Sequence, residues 1–111
     1  MKQQQQPTTS APDEVHNQAQ SRYELHVDGQ VAAFAQYRKE GDTICFTHTE
    51  VDSAYEGQGL GSRLAAYALD DVKSRGLKAD PTCEFMASYI RRHEKEYGEL
   101  VQSATQGASG T

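Results

Sequence analysis

The sequence has few cysteines and no long apolar run. Cys45 and Cys83 are its only cysteines in 111 residues, which is too few for the disulfide framework of a small secreted domain. No apolar stretch is long enough for a signal peptide or a membrane span. We therefore expect a cytoplasmic protein with reduced thiols and no membrane partner.

Positive charge is also scarce. Lysine and arginine number 11 against 16 aspartates and glutamates, which gives a formal net charge of −5. A nucleic-acid-binding surface needs clustered basic residues to neutralise phosphates, and no such cluster interleaves with aromatic residues here. The composition therefore argues against a nucleic-acid partner.

The length of the chain suits a single domain. Residues 1–13 and 102–111 are polar and bury too little apolar area to order themselves, so we expect two disordered tails around a domain at 14–101. A structured region of about 85 residues holds only a thin core. We expect a monomer or a weak dimer.

Apolar residues with a period of two predict three strands. The segment 21–37 alternates apolar and polar residues on both sides of an Asp28–Gly29 turn, which is typical of a β-hairpin. The segment "TICFTHTEV" predicts a third strand. One face of the second strand is expected to carry Val31, Ala33, Ala35 and Tyr37.

Helical spacing follows the third strand. Leu60, Leu64 and Val72 recur at the period of an amphipathic helix that should end at Gly76. The segment "LKADP" predicts a short strand, and a second helix is indicated by Phe85, Met86, Tyr89, Ile90 and His93. The order β-β-β-α-β-α predicts an α/β fold with a mostly antiparallel sheet and flanking helices.

Three glycines at alternate positions, Gly57, Gly59 and Gly61, precede the first helix. Without a Cβ, their backbone amides can approach an anion closely, and the helix N-terminus adds favourable potential. The loop from 56 to 62 therefore predicts a phosphate cradle, with a flexible loop and a close helix–sheet packing contact as the alternative. No Gly-Lys-Ser/Thr follows, and Ser62 replaces the last glycine of a dinucleotide fingerprint, so neither nucleotide motif fits.

The loop sequence "EGQGLG", from Glu56 to Gly61, resembles the Gln/Arg-x-x-Gly-x-Gly/Ala signature of the GCN5-related N-acetyltransferase (GNAT) superfamily. Glu56 stands where that signature has arginine or glutamine. The ordered set "THTEV", "YEGQGLGSRL", "ALDDVKSRGL", "PTC" and "YIRRHEKEY" resembles the small, single-domain NATD1-type members over about 14–101. The resemblance implies a minimal GNAT fold and an acetyl-CoA-dependent N-acetyltransferase.

The resemblance also implies where acetyl-CoA binds. Its pantetheine would lie between the splayed ends of the strands "ICFTHTEV" and "LKADP", with the thioester close to His48 and Cys83. Its pyrophosphate would meet the amides of the glycine loop. The implied CoA-binding residues are Glu50, Val51, Glu56, Gly57, Gln58, Gly59, Leu60, Gly61 and Ser62.

Two side chains are candidates for catalysis. Cys83 could carry the acetyl group as a thioester, provided that a histidine or a helix N-terminus favours its thiolate, or it could be a small buried apolar residue. His48 is expected on one strand face with Ile44 and Phe46, as the base for Cys83 or for an amine, or as a hydrogen-bonded core histidine. Glu50 is a weaker candidate base.

A metal site is not expected. Cys45 and His48 have ligand-like spacing, but residues three apart in a regular strand point to opposite faces and cannot share an ion.

The sequence leaves two functions open. The first is an acetyl-CoA-dependent N-acetyltransferase that acts on an unknown amine acceptor, either a small molecule or a protein. Transfer would be direct, with His48 as base, or would pass through an acyl intermediate on Cys83. The alternative is a non-catalytic module that binds CoA or acyl-CoA.

Overall fold

The computed structural model describes residues 12–109, with side chains described through Val101. Its α/β architecture has a mostly antiparallel sheet with flanking helices, as predicted. The elements are the strands β1 (Asp13–Asn17), β2 (Arg22–Val27), β3 (Gln30–Glu40) and β4 (Thr43–Val51), the helix α1 (Leu60–Ser74), the strand β5 (Lys78–Pro81), and the helices α2 (Glu84–Arg92) and α3 (Glu94–Ser109).

The element order differs from the prediction at both ends. The strand β1 was missed because its sequence "DEVHN" contains a single apolar residue, and it owes its conformation to pairing with β2. The predicted last helix is divided at His93, whose N–H bonds the carbonyls of Tyr89 and Ile90 as the cap of α2. None of the described helices is long and apolar enough to cross a membrane.

The predicted tails overlap the elements at both ends. Asp13 already belongs to β1, and α3 continues past Val101 to Ser109. Residues 1–11 and 110–111 of these tails lie outside the described residues. The domain limits of 14–101 stay a prediction.

The five strands form one sheet in the order β1-β2-β3-β4-β5. Neighbours among β1 to β4 are antiparallel, whereas β5 runs parallel to β4 after the crossover through α1. One side of the sheet, here called the helix face, packs against the buried side chains of all three helices in one core. Its residues include Tyr23, Leu25, Ala35, Ile44 and Phe46.

The other side of the sheet, here called the open face, carries polar side chains around one aromatic ring. Its residues include Arg22, Glu24, Phe34, His48 and Glu50. The side chains of His48 and Glu50 are 52% and 61% exposed. This face therefore offers reactive groups to solvent without breaking the core.

Two β-bulges decide which residues reach the open face. Leu25 pairs with Ala33 and His26 pairs with Val31, so Ala32 is an extra residue that shifts Val31 to the open face. Period-two counting had placed Val31 beside Ala33 on one face, and this prediction is wrong. The bulge breaks the alternation, and Val31 is 36% exposed.

The second bulge lies in β4. Tyr37 pairs with Phe46 and Gln36 pairs with His48, so Thr47 is the extra residue. Because directly paired residues share a face and successive residues alternate, His48 points away from Phe46. The prediction that His48 shares a face with Ile44 and Phe46 is therefore wrong.

Two adjacent aspartates of α1 hold tyrosines of the core. The hydroxyl of Tyr23 donates to Asp71 at 2.7 Å, and that of Tyr97 donates to Asp70 at 2.7 Å. Burial and these hydrogen bonds to carboxylates raise the pKa of both phenols well above the ordinary value. The folded state therefore favours the neutral tyrosines.

Alkaline pH should consequently destabilise the folded protein. The two tyrosines ionise near pH 10 in the unfolded chain but not in the folded one, so each contributes stability below that pH that is lost as the pH rises. Each should lower the free energy of unfolding by about 1.4 kcal/mol per pH unit above pH 10. In urea unfolding between pH 8 and 11, the free energy of unfolding should fall less steeply with pH in Tyr97→Phe than in the wild type or in the control Tyr55→Phe. Equal slopes would contradict this assignment.

Candidate active site

The strands β4 and β5 separate in the middle of β4. Their parallel pairing ends with Phe46 beside Pro81, and the carbonyl of Phe46 then accepts the N–H groups of Thr82 at 3.1 Å and Cys83 at 3.2 Å. The Thr82 hydroxyl donates to the same carbonyl at 2.7 Å. Beyond this point β4 continues to Val51 with β3 as its paired strand, which leaves a gap, here called the slot, along its other edge.

The slot exposes backbone groups that can pair with a ligand. The N–H of Asp52 donates to the carbonyl of Ala32 at 2.8 Å, on the β3 side. Since backbone groups alternate along a strand, those of Thr49 and Val51 face the slot, whereas those of Glu50 face β3. Of the two strand residues expected to hold pantetheine, Val51 therefore presents its backbone to the slot and Glu50 presents its side chain to the open face.

The glycine loop leads from β4 into α1. Gly57 and Gly59 have φ angles of 86° and 75°, which favour glycine, and Gly59 caps α1 without a side-chain hydrogen bond. The first turn of α1 carries no acidic residue. The first hydrogen bond of the helix runs from the N–H of Arg63 to the carbonyl of Gly59. The amides of residues 60–62 therefore lack partners within the helix. This geometry suits a bound anion.

Gly61 serves a different purpose from the other two glycines. A Cβ at this position would lie 2.8 Å from Cζ of Phe85 and 3.6 Å from Cγ2 of Val51. Close packing, which the sequence left as the alternative, therefore accounts for the third glycine. Phe85 is 37% exposed and lies over the start of α1 beside the slot, although its sequence pattern had indicated only a helix.

The remaining loop residues contribute mainly their backbone. Glu56 and Gln58 are exposed, as is Ser62, whereas the side chain of Leu60 is buried in the core. A ligand in the cradle would therefore meet the amide of Leu60 but not its side chain.

Cys83 lies at the slot on the helix face. It is half-buried, occupies the N-cap position of α2 without a side-chain hydrogen bond to the helix, and packs against the core. Its Sγ is 3.5 Å from the hydroxyl oxygen of Thr49. Sequence reasoning missed Thr49, and only its place between two candidate residues of β4 could have drawn attention to it.

His48 and Glu50 form a separate pair on the open face. Nε2 of His48 lies 3.3 Å from Oε2 of Glu50, and the ring centroid of His48 is 6.0 Å from that of Phe34. Cys83 is on the helix face, so the structure does not bring the two predicted catalytic residues into contact. The slot therefore has a thiol with a hydroxyl on one face and an imidazole with a carboxylate on the other.

The bulge at Thr47 also changes the argument about metal ligands. Cys45 pairs with Arg38 on the open face, so Cys45 and His48 lie on the same face and not on opposite ones. Cys45 is buried and approaches Asp80 at 4.0 Å. Among the residues that the structure describes, no three histidine, cysteine, aspartate or glutamate side chains converge on a metal-sized site.

Several known proteins are similar to this chain. A family model described as GCN5-related N-acetyl-transferase matches residues 22–100. The NATD1 proteins of Homo sapiens and Mus musculus are each 41% identical to this chain over 56 residues, which is 50% of the chain. That of Xenopus tropicalis is 36% identical over 61 residues, or 54% of the chain. The chain spans about half the length of these curated relatives, between 50% and 56%.

Solved structures agree with this similarity. The solution structure of a GCN5-like protein from Staphylococcus aureus superposes with a TM-score of 0.61 at 21% identity, over 83% of this chain and 89% of the other, and shows the shared fold. The ribosomal-protein-S18-alanine N-acetyltransferase of Escherichia coli gives a TM-score of 0.52 at 27% identity, over 67% of this chain and 49% of the other. The chain belongs to the GCN5-related N-acetyltransferase family.

Proposed function

We propose that the protein is an acetyl-CoA-dependent N-acetyltransferase that binds its acetyl donor in the slot. The observation that supports this most directly is that two candidate binding sites are adjacent along the chain. The unpaired edge of β4 ends at the glycine loop, and this loop leads into the first turn of α1, whose amides are uncapped. A long thioester that ends in a pyrophosphate has the chemistry to engage both. The two free cysteines also suit the reducing cytoplasm.

The binding groups are those of this chain's backbone. The amides of residues 60–62 would hold the pyrophosphate, assisted by the positive end of the α1 dipole. The backbone groups of Thr49 and Val51 would pair with the amides of pantetheine as a neighbouring strand does. Phe85, which covers Gly61, would pack against the pantetheine arm.

Direct transfer is the route that the geometry favours. His48 is exposed beside Glu50 and can accept a proton from an amine on the open face, while the carboxylate orients the imidazole. His48 cannot assist Cys83 from the opposite face of the sheet, so of the two activating groups expected for Cys83 only the N-terminus of α2 lies beside it. Cys83 would then line the thioester site with its hydrogen-bonding neighbour Thr49 instead of carrying the acetyl group.

The intact mass of the protein after incubation with acetyl-CoA tests this route, beside a Cys83→Ala variant. We expect CoA to bind both proteins and no acetyl adduct that hydroxylamine removes. His48→Gln should lower the rate of amine acetylation by about a hundredfold or more, because the general base is lost. Binding of CoA should survive that substitution.

Other outcomes would change the proposal in defined ways. A hydroxylamine-sensitive adduct that is absent from Cys83→Ala would establish the acyl-cysteine route. CoA binding without acetylation of any amine would favour the non-catalytic binding module. Failure to bind CoA at all would refute the proposed function.

A further inference from the structure

A cavity of about 190 Å³ opens on the open face, at the start of β3 and the end of β4. It lies beside Glu50, which belongs to the proposed proton-accepting pair. Its lining combines apolar side chains with charged ones: Arg22, Val31, Ala32, Phe34, Glu50 and Asp52.

The bulge at Ala32 builds the apolar part of this cavity. It turns Val31 outward, so that a β-branched side chain lies 36% exposed beside the half-buried ring of Phe34. The guanidinium of Arg22 lies 4.3 Å from the centroid of that ring. Bulges of this kind re-aim side chains next to functional sites.

The charges around the cavity favour a cation. Glu50 and Asp52 contribute two carboxylates, and the Asp52 carboxylate accepts the Ala54 N–H at 2.9 Å. Arg22 does not offset them, because its charge is compensated by Glu24 at 2.9 Å. The net charge offered to a ligand is therefore negative.

The position of Glu50 connects the cavity to the slot. Its neighbours Thr49 and Val51 direct their backbone groups into the slot, while its own side chain reaches the cavity. An ammonium held by Glu50 would therefore lie next to the strand edge along which the thioester is proposed to bind.

We propose that this cavity is the acceptor site and that it takes a small primary amine with a single aromatic ring or a short branched alkyl chain. The size is suitable, since a cavity of about 150 Å³ accommodates benzene. Glu50 and Asp52 bind the ammonium, and Val31 and Phe34 contact the apolar group. This inference rests on the proposed N-acetyltransferase function and names the class of its acceptor.

The atoms and protons of the acetyl transfer balance with the amine, His48, water and the thioester alone. The ammonium first gives one proton to His48, which passes it to water. The amine nitrogen then attacks the thioester carbonyl carbon, the C–N bond forms, and the C–S bond breaks. The second amine proton reaches the departing CoA thiolate, which leaves as the thiol beside the N-acetyl amide.

Titration of the full chain with phenethylamine, followed by NMR without CoA, tests the cavity itself. We expect shifts at Val31, Phe34 and Glu50, and binding at least about fivefold tighter than that of ethylamine, which lacks the ring, or of 2-phenylethanol, which lacks the charge. Shifts confined to other residues, or equal binding of all three compounds, would overturn the proposal.

Kinetics with acetyl-CoA test the acceptor role. Asp52→Asn keeps the hydrogen-bond acceptor for Ala54 but loses the charge, so KM for phenethylamine should rise about fivefold to tenfold with kcat little changed. The matched control Glu40→Gln, an exposed carboxylate paired with Arg38 on the same sheet, should leave both constants unchanged. An unchanged KM in Asp52→Asn would overturn the proposal.

The experiments separate this inference from the proposed function. If CoA fails to bind, the acceptor role falls with the proposed function, whereas the NMR titration still decides whether the cavity binds an amine. If CoA binds but phenethylamine neither binds nor reacts, the acceptor class is wrong and the donor site stands. Preferential acetylation of a peptide N-terminus would likewise refute a small free amine.

Discussion

Replacing Ser62 with glutamate is expected to weaken CoA binding by about a hundredfold or more while the fold stays as stable as before. Ser62 is exposed in the first turn of α1, where a carboxylate is favoured by the helix dipole and can occupy free amides. The same carboxylate would repel a pyrophosphate from its proposed cradle. Calorimetric titration with CoA and thermal unfolding would measure the two effects separately.

The uncharged variant Ser62→Gln is the matched control, since it has the same length as glutamate. We expect it to bind CoA within about threefold of the wild type, because it leaves the field of the helix N-terminus intact. Equal losses in both variants would point to steric exclusion. Unimpaired binding in Ser62→Glu would place the pyrophosphate elsewhere and contradict the cradle.

The second large effect concerns two arginine–glutamate pairs with the same spacing but different burial. Glu24 is 3% exposed and contacts Arg22 at 2.9 Å, whereas Glu40 and Arg38 are both more than half exposed. Glu24→Ala should lower the free energy of unfolding by about 2–3 kcal/mol, because it leaves charged partners unpaired in a partly buried site. Glu40→Ala should lower it by less than about 0.5 kcal/mol.

The effect at Glu24 should depend on pH. Burial alone would raise the pKa of Glu24, but hydrogen bonds from His26, Asn17 and Arg22 outweigh it and hold the pKa below the ordinary value. Its stabilising contribution is therefore complete above the unfolded value of about 4.3 and is lost as the pH falls through the lower folded value.

Urea unfolding of the wild type, Glu24→Ala and Glu40→Ala at pH 7 and at pH 3 would measure this dependence. The difference between the wild type and Glu24→Ala should shrink at the lower pH, while that for Glu40→Ala stays small. Equal costs for the two substitutions at pH 7, or a difference that grows in acid, would contradict the importance of the buried network.

The sequence supported the fold class and the loop because both depend on local patterns. The helical period from Leu60 to Val72 is a pattern within one short segment, and the glycines at 57 and 59 permit left-handed backbone conformations in the loop. Gly57 and Gly59 adopt left-handed conformations, with φ angles of 86° and 75°. Family resemblance then predicted the separation of β4 from β5.

The faces of the strands could not be predicted in the same way. A bulge adds one residue without changing composition, and apolar Ala32 and Ala33 fit either face. Thr47 likewise gives no local sign that β4 changes alternation there. Pairing with β3 decides both positions, so the partners of His48 and the cavity beside Val31 emerged only from the register.

The bulge at Thr47 reverses which residues of β4 point to each face of the sheet. Before the bulge, the even-numbered residues Ile44 and Phe46 point into the core. After it, the even-numbered residues His48 and Glu50 point to the open face, where they are exposed to solvent. Substitutions at His48 and Glu50 can therefore change the proposed chemistry without disturbing the packing of Ile44 and Phe46, whereas Val51 still packs against the core. One inserted residue thus directs core side chains and solvent-exposed polar side chains from the same run of nine residues.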